Sequence, residues 1–142
     1  MNDVSDFFGE PIHVYTRAQA IDDGMLHEVS DMARTFGLVW PVAITSGAWA
    51  DCVAWSEDDN KLKGTCQDEQ GRLCDVLAMA AWRMRKAAAR NESGCHVRLV
   101  FQVMRTPREG RGRVPRRVDL VLHVGPGDAG EPVLTIMLTT ED

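Results

Sequence analysis

The chain has 142 residues, of which 44% are hydrophobic and 26% are charged, and its formal net charge is −5. This composition excludes a disordered or collagen-like chain, and the length suits one folded domain with its own core. The apolar runs are too short for a membrane-spanning helix, and the acidic start MNDVSDFFGE lacks the features of a secretory signal. We therefore expect a cytoplasmic protein that does not enter a membrane.

The N-terminal region is predicted to contain an arm followed by short elements. Residues 1–11 are expected to form a flexible arm, and residues 12–142 a single α+β domain. Residues 12–15 are predicted as a short strand. Thr16 is then a suitable N-cap for a helical turn, with a glutamine three residues later to complete a capping box, and Gly24 can end that turn.

The next region is predicted to hold two more short helices. The apolar residues within residues 25–29 show neither a helical nor a strand period, so this segment is ambiguous. Ser30 is a candidate N-cap for a helix that ends at Gly37, and residues 42–44 form a short extended piece. A third helix is predicted over residues 47–55, capped by the threonine or serine before it.

The longest helical pattern covers residues 71–90, which we call the spine helix. Its residues are good helix formers, and apolar side chains recur at three- and four-residue spacing. These side chains are Leu73, Val76, Leu77, Ala80, Met84 and Ala87. Residues 56–70, before the spine helix, are predicted as a long polar loop. Trp82 projects from the opposite face, where we expect the N-terminal helices to bury it.

The C-terminal third is predicted to form three strands. Apolar and other residues alternate over residues 96–105, 117–124 and 132–140, which is typical of strands covered on one face. The links between them are rich in glycine and proline, so a three-stranded antiparallel sheet is the simplest topology. The predicted fold class is therefore α+β, with short N-terminal helices and one long central helix packed on this sheet.

The charged residues are distributed unevenly along the chain. Residues 1–82 carry 5 basic and 14 acidic side chains, residues 83–117 carry 11 basic and 2 acidic, and residues 118–142 carry 5 acidic and no Lys or Arg. Such a layout fits either two surfaces that neutralise each other or a basic patch for an anionic partner.

The densest basic stretch is RTPREGRGRVPRR, residues 105–117, with six arginines against one glutamate. The planar fork of arginine suits carboxylate or phosphate. Three interpretations stay open: a solvated hairpin tip, a protein contact and a nucleic-acid contact. The candidate partner-binding residues are Arg105, Arg108, Arg111, Arg113, Arg116 and Arg117, with Arg83, Lys86 and Arg90 of the spine helix.

No pattern in the chain predicts catalytic, cofactor-binding or metal-binding residues. Nucleophile-elbow, phosphate-loop, dinucleotide-binding and zinc-protease motifs are all missing. The four cysteines show no C-x-x-C spacing, so we interpret them as reduced structural thiols. His96 and His123 fall on one face of neighbouring strands, but two ligands are fewer than a metal site needs. The interpretation of the chain as an enzyme is therefore less favoured than that of a binding protein.

Six segments of the chain are informative when taken together: residues 14–24, 40–45, 49–53, 77–82, 125–128 and 130–138. They resemble a domain-of-unknown-function family of small proteins encoded on bacterial plasmids, phages and integrative elements. The resemblance runs from about residue 14 to the C-terminus. The family has no established catalytic residues, so the resemblance implies no site. It implies that the chain is accessory cargo of mobile DNA.

The leading functional hypothesis is a non-enzymatic accessory protein that binds another protein, with a host-defence inhibitor of the anti-CRISPR or anti-restriction kind as one instance. The alternative is a nucleic-acid-binding protein that uses the same arginines. An enzyme of unknown class is the second alternative. A homodimer would also suit the chain if the outer sheet face or the face of Trp82 is exposed. No cofactor is predicted.

Overall fold

A computed structural model describes residues 15–92, 94 and 96–141. Short helices alternate with short strands at first, and three helices and then three strands follow. The elements are α1 (Arg17–Asp22), β1 (Leu26–Glu28), α2 (Ser30–Thr35), β2 (Val42–Thr45), α3 (Ser46–Cys52), α4 (Glu57–Lys63), α5 (Glu69–Ala89), β3 (Val97–Arg105), β4 (Arg116–Pro126) and β5 (Pro132–Leu138). The predicted arm and nearly all of the strand predicted before Thr16 lie outside the described residues.

Side-chain caps begin two of the short helices where the sequence predicts them. At α1, Thr16 Oγ1 accepts a hydrogen bond from the Gln19 amide at 3.0 Å, and Gln19 Oε1 accepts one from the Thr16 amide at 2.9 Å. At α3, Thr45 Oγ1 accepts from the Ala48 amide at 3.2 Å. These bonds satisfy amides at the helix start that have no partner within the helix. The capping predictions at both helices are confirmed.

The five strands form one mixed sheet in the order β1-β2-β5-β4-β3. Neighbouring strands are antiparallel except for β2 and β5, which run parallel. The register places Phe101 opposite Leu120, and Leu122 opposite Ile136. The strand β3 is an edge of the sheet, and among the described residues it pairs with β4 alone.

The core lies between α5 and one face of the sheet. Its buried members include Leu77 and Ala80 of α5 and Phe101, Leu122 and Ile136 of the strands. Burial of each large side chain contributes about 1.5–3 kcal/mol relative to exposure. The prediction that the apolar sheet face covers the spine helix is confirmed.

The sheet is larger than the three antiparallel strands that the alternation predicts. That part of the predicted fold class is wrong, although the α+β class and the long central helix are confirmed. The two extra strands have only three and four residues, too few for a clear period of two. Moreover, Val42, Ala43 and Ile44 are all buried, so β2 looks like a plain apolar run. No local pattern in the sequence indicates that β2 pairs in parallel with β5.

The helical boundaries also differ from the prediction around residues 56–70. This segment is not a loop, because α4 occupies half of it and α5 begins at Glu69 and ends at Ala89 rather than covering 71–90. Ser56 and Asp59 form a capping box at the start of α4, and Gly64 ends it with a φ of 64°. None of the helices in the described part of the chain combines the length and apolar character of a membrane span.

Two smaller predictions, about Ser30 and Trp82, are wrong. Ser30 is the first residue of α2 rather than its N-cap, and its hydroxyl instead accepts a hydrogen bond from the Val42 amide at 2.9 Å. Trp82 is not covered by the short helices, because 47% of it is exposed. The other tryptophans of this region are packed differently: Trp55 is buried, and Trp49 of α3 stacks on His27 of β1 with ring centroids 4.3 Å apart.

Candidate functional site: the arginine loop and its buried base

The arginine loop, residues 105–117, leaves the end of β3 and returns at the start of β4. Its base rests on α4 through Lys63, of which only 4% is exposed. The Lys63 ammonium donates hydrogen bonds to the carbonyl oxygens of Pro107 and, at 2.7 Å, of Gly112. Because one cation binds both sides of the loop, the chain between these carbonyls is held in a defined shape.

Arg72 of α5 connects the start of the loop to the core. Its Nη1 donates to the Thr106 carbonyl oxygen at 2.9 Å, and its Nε donates to the Val53 carbonyl oxygen at 3.1 Å. The guanidinium carbon lies 4.5 Å from the ring centroid of Trp55, within the range of a cation–π contact. Burial, with the nearby charge of Arg105, lowers the pKa of Arg72, and interactions with Cys52, Asp51 and Asp59 partly oppose this shift.

Two of the six loop arginines form ion pairs within the fold. Arg105 Nη2 lies 3.0 Å from a carboxylate oxygen of Asp51, and Arg108 Nε lies 2.8 Å from a carboxylate oxygen of Asp59. Burial raises the pKa of Asp59, but hydrogen bonds from Ser56 and the charge of Arg108 outweigh it and hold that pKa below its usual value. Arg105 and Arg108 are therefore held against the fold by ion pairs, although 40% of the Arg108 side chain stays exposed.

The other four loop arginines point away from the core. Arg111, Arg113, Arg116 and Arg117 are exposed, and none of them forms an ion pair with a described residue. They lie within seven residues of one another: Arg111 and Arg113 are on the loop itself, and Arg116 and Arg117 are the first two residues of β4. This group, which we call the exposed arginine cluster, is the part of the predicted site that can contact a ligand.

The three predicted site residues of the spine helix lie apart from this cluster. Lys86 is fourteen residues beyond Arg72, which corresponds to about 20 Å along the helix. Its ammonium lies 4.9 Å from the ring centroid of Trp82, and Arg83 pairs with Glu92 at 2.9 Å. Arg90 is exposed just beyond the end of α5. The nine predicted residues therefore do not form one basic patch.

A cleft of about 280 Å³ lies beside the loop base, lined among others by Cys52, Cys66, Asp75, Arg72 and Arg105. Of the cysteines that the structure describes in this cleft, Cys52 is buried and Cys66 is exposed. Burial and, second, the charge of Asp51 raise the pKa of Cys52 from 9.0 to about 11, against a smaller opposite effect of the nearby arginines. A thiol with so high a pKa is neutral at pH 7 and is not an activated nucleophile.

The stability of the protein should therefore fall at high pH because of Cys52. The folded state favours the neutral thiol, so its contribution is constant below the ordinary pKa of 9.0 and is lost as pH rises towards 11. We expect a loss of about 2 kcal/mol by pH 11. Urea unfolding of the wild type and of Cys52→Ala between pH 7 and 11 measures it, because the variant should lack this part of the decline. Equal slopes for the two proteins would contradict the assignment.

The histidine pair does not extend into a metal site. The rings of His96 and His123 have centroids 5.9 Å apart on the outer face of β4 and the residue before β3. Burial, followed by the charges of His96, Arg98 and Arg17, lowers the pKa of His123. Over the described ranges 15–92, 94 and 96–141, no three His, Cys, Asp or Glu side chains converge for a metal ion.

A known protein family matches this chain. The model of the family of unknown function DUF6573 matches residues 2–142, nearly the whole chain. The chain belongs to this family. No curated protein and no solved structure matches it. Membership in DUF6573 confirms that the resemblance is to a family of unknown function, and it assigns no residue a role.

The two cations that hold the loop, Arg72 and Lys63, were not predicted from the sequence. Arg72 had a usable signal, because it precedes Val76 and Ala80 at intervals of four on the buried face of α5. An arginine on that face must find acceptors inside the fold. Lys63 had no comparable signal, since it lies in a polar stretch that the pattern assigns to a loop.

Proposed function

We propose that this DUF6573 protein is a non-enzymatic binding module that uses the exposed arginine cluster to contact an acidic surface of another protein. One observation carries the proposal. The loop is fixed at its base by the buried Lys63 ammonium, while four of its arginines stay exposed and form no ion pair with described residues. A solvated, mobile tip needs no buried cation beneath it.

The fixed loop favours binding because less conformational entropy is lost when a partner is contacted. Guanidinium groups form paired hydrogen bonds with carboxylates, and arginine is enriched among residues that dominate protein interfaces. The loop glycines and prolines keep the arginines close without adding bulky side chains. An acidic protein surface is therefore the partner that this chemistry fits.

The mobile-element setting suggests what class of protein the partner belongs to. The resemblance to proteins of plasmids, phages and integrative elements supports an accessory role for this family. Mobile DNA benefits from proteins that block host defence, so a component of CRISPR or restriction systems is our proposed partner class. This part of the proposal rests on the resemblance and not on the loop geometry.

Nucleic acid is the second candidate ligand, because the same arginines can also bind phosphate. Two features favour protein instead. The net charge of the chain is −5, and no aromatic residue lies among the loop arginines to stack on bases. If nucleic acid is the ligand, the affinity for a DNA duplex will fall steeply with salt concentration.

Site-specific photocrosslinking in host cells tests the proposal. Val114 lies in the loop and is 71% exposed, so it can carry a benzoylphenylalanine side chain without disturbing the core. We expect this side chain to capture a protein. The yield should fall by about tenfold or more in Arg111→Ala/Arg113→Ala, since losing two charge-assisted contacts weakens binding by at least that factor.

Two controls make the result specific. The variant Arg34→Ala/Arg85→Ala removes the same charge from exposed positions outside the loop and should leave the yield unchanged. The same crosslinker at Val39, which is 76% exposed on another surface, should not capture that protein. Capture of nucleic acid at position 114 would support the alternative, and capture of nothing would refute both.

A further inference from the structure

The edge of the sheet formed by β3 is the strongest candidate for a second interaction surface. The carbonyl oxygen of Val100 accepts a hydrogen bond from Arg83 Nε at 3.0 Å, so it points away from β4. Backbone groups of alternate strand residues point in the same direction, so those of Gln102 and Met104 face the open edge too. Such groups are a template for pairing with another strand.

Apolar side chains surround this edge. On the strand, Val100 is 45% exposed and Met104 57%, and in the helix layer Trp82 of α5 is 47% exposed. A groove of about 410 Å³ separates α5 from the edge, and Ala78, Met79, Gln102 and Met104 contribute to its lining. An exposed apolar patch beside an open strand edge is typical of an interface.

We propose that β3 pairs antiparallel with the β3 strand of a second copy of this chain, about a two-fold axis at Gln102. This pairing places Val100 opposite the partner's Met104, and Gln102 opposite the partner's Gln102. The sequence of the edge is thus self-complementary, with an apolar pair on each side of an amide pair. A continuous sheet through both copies results, with the two α5 helices side by side.

The charges of α5 fit the same axis. Arg83 lies beside Val100, and Asp75 lies with Met104 along the groove, so α5 runs antiparallel to β3. The axis through Gln102 therefore passes between the two α5 helices at the level of Met79, which brings Arg83 opposite the partner's Asp75. Each dimer would contain this ion pair twice.

An unsatisfied donor on Arg83 supports this ion pair. Its Nη1 atom is buried and has no hydrogen-bond partner among the described residues. Such a donor is costly unless an acceptor arrives. On pairing, the Val100 carbonyl accepts from the partner strand, and the guanidinium turns to the partner's Asp75 while keeping Glu92. Arg117 of the exposed arginine cluster lines the same groove and lies opposite Met104, so the interface borders the cluster. The argument for pairing uses none of the loop arginines, however, so it does not depend on the proposed function.

Analytical ultracentrifugation with a charge exchange tests the dimer. In Asp75→Arg two arginines oppose each other across the axis, and in Arg83→Asp two aspartates do, so each variant should dimerise about tenfold more weakly or worse. An equimolar mixture of the two should recover dimers, because both ion pairs re-form between unlike copies. A purely structural role of either residue would not produce recovery on mixing.

Backbone pairing is tested by Gln102→Pro. Proline is tolerated on an edge strand where its missing N–H faces outward, so the fold should persist while the dimer is lost. The matched variant Gln102→Thr keeps the N–H and should remain dimeric. A wild-type protein that sediments as a monomer, a dimer that survives Gln102→Pro, or a mixture that stays monomeric would each overturn the proposal. A monomer that instead binds an extended peptide at β3 would assign the edge to that occupant.

Discussion

The variant Arg72→Met is expected to lose about 3–5 kcal/mol of folding free energy. Methionine fills most of the same space but donates no hydrogen bond. The carbonyl oxygens of Val53 and Thr106 would be left buried without their guanidinium donor, and each such loss costs about 1–3 kcal/mol. The contact with the Trp55 ring is lost as well. Urea unfolding followed by tryptophan fluorescence measures the change.

Two further variants separate the causes of this loss. Arg72→Lys keeps the charge but not the planar fork, so it should restore only part of the stability. Arg85→Met makes the same replacement at an exposed position of α5 and should change stability by no more than about 0.5 kcal/mol. If Arg72→Met were as stable as Arg85→Met, Arg72 would not be what joins the loop to the core.

The variant Lys63→Met is expected to release the arginine loop and to cost about 2–3 kcal/mol. Its ammonium is the shared donor to the carbonyl oxygens of Pro107 and Gly112. Without it, the loop opens more often, and trypsin should cut after Arg111 and Arg113 about tenfold faster or more. Limited proteolysis under native conditions, with mass analysis of the fragments, measures the rate.

Lys61→Met is the matched control, because Lys61 lies in the same helix but is exposed. It should leave both the stability and the cleavage rate close to those of the wild type. The photocrosslinking yield at Val114 should also fall in Lys63→Met although every arginine is retained, because the loop loses its shape. A loop equally resistant in Lys63→Met and wild type would show that other contacts hold it.

The elements that the sequence predicts well are those with a strong local period. Alternation in β3, β4 and β5 and the helical spacing in α5 each extend over seven or more residues, and these elements are found close to their predicted positions. The extended piece predicted at residues 42–44 is the strand β2, but it is short and buried on both faces, so no alternation marks its place in the sheet. The helix α4 was missed because the residues it buries, Asn60 and Lys63, are polar.

The candidate site was predictable in position but not in detail. Arginine density located the loop, but density cannot show which arginines pair within the fold. Arg105 pairs with Asp51 and Arg108 with Asp59, and each partner lies about fifty residues away in the chain. Such pairings depend on tertiary structure, for which a single sequence carries no local signal. The four arginines without an ion pair among the described residues can be identified only when the pairings of Arg105 and Arg108 are known.

The position of β5 has a consequence for the order in which the fold can form. Of the described elements β5 comes last in the chain, yet it lies between β2 and β4 and joins them. The β1–β2 pair, which is connected through α2, and the β3–β4 pair can each assemble locally, but neither contacts the other within the sheet until β5 inserts. During synthesis, the two strand pairs therefore stay separate, each with an unpaired strand edge, until β5 is available. We expect the pairing of β2 with β5, which brings together residues 44 and 136, to limit the folding rate because these residues are far apart in the chain.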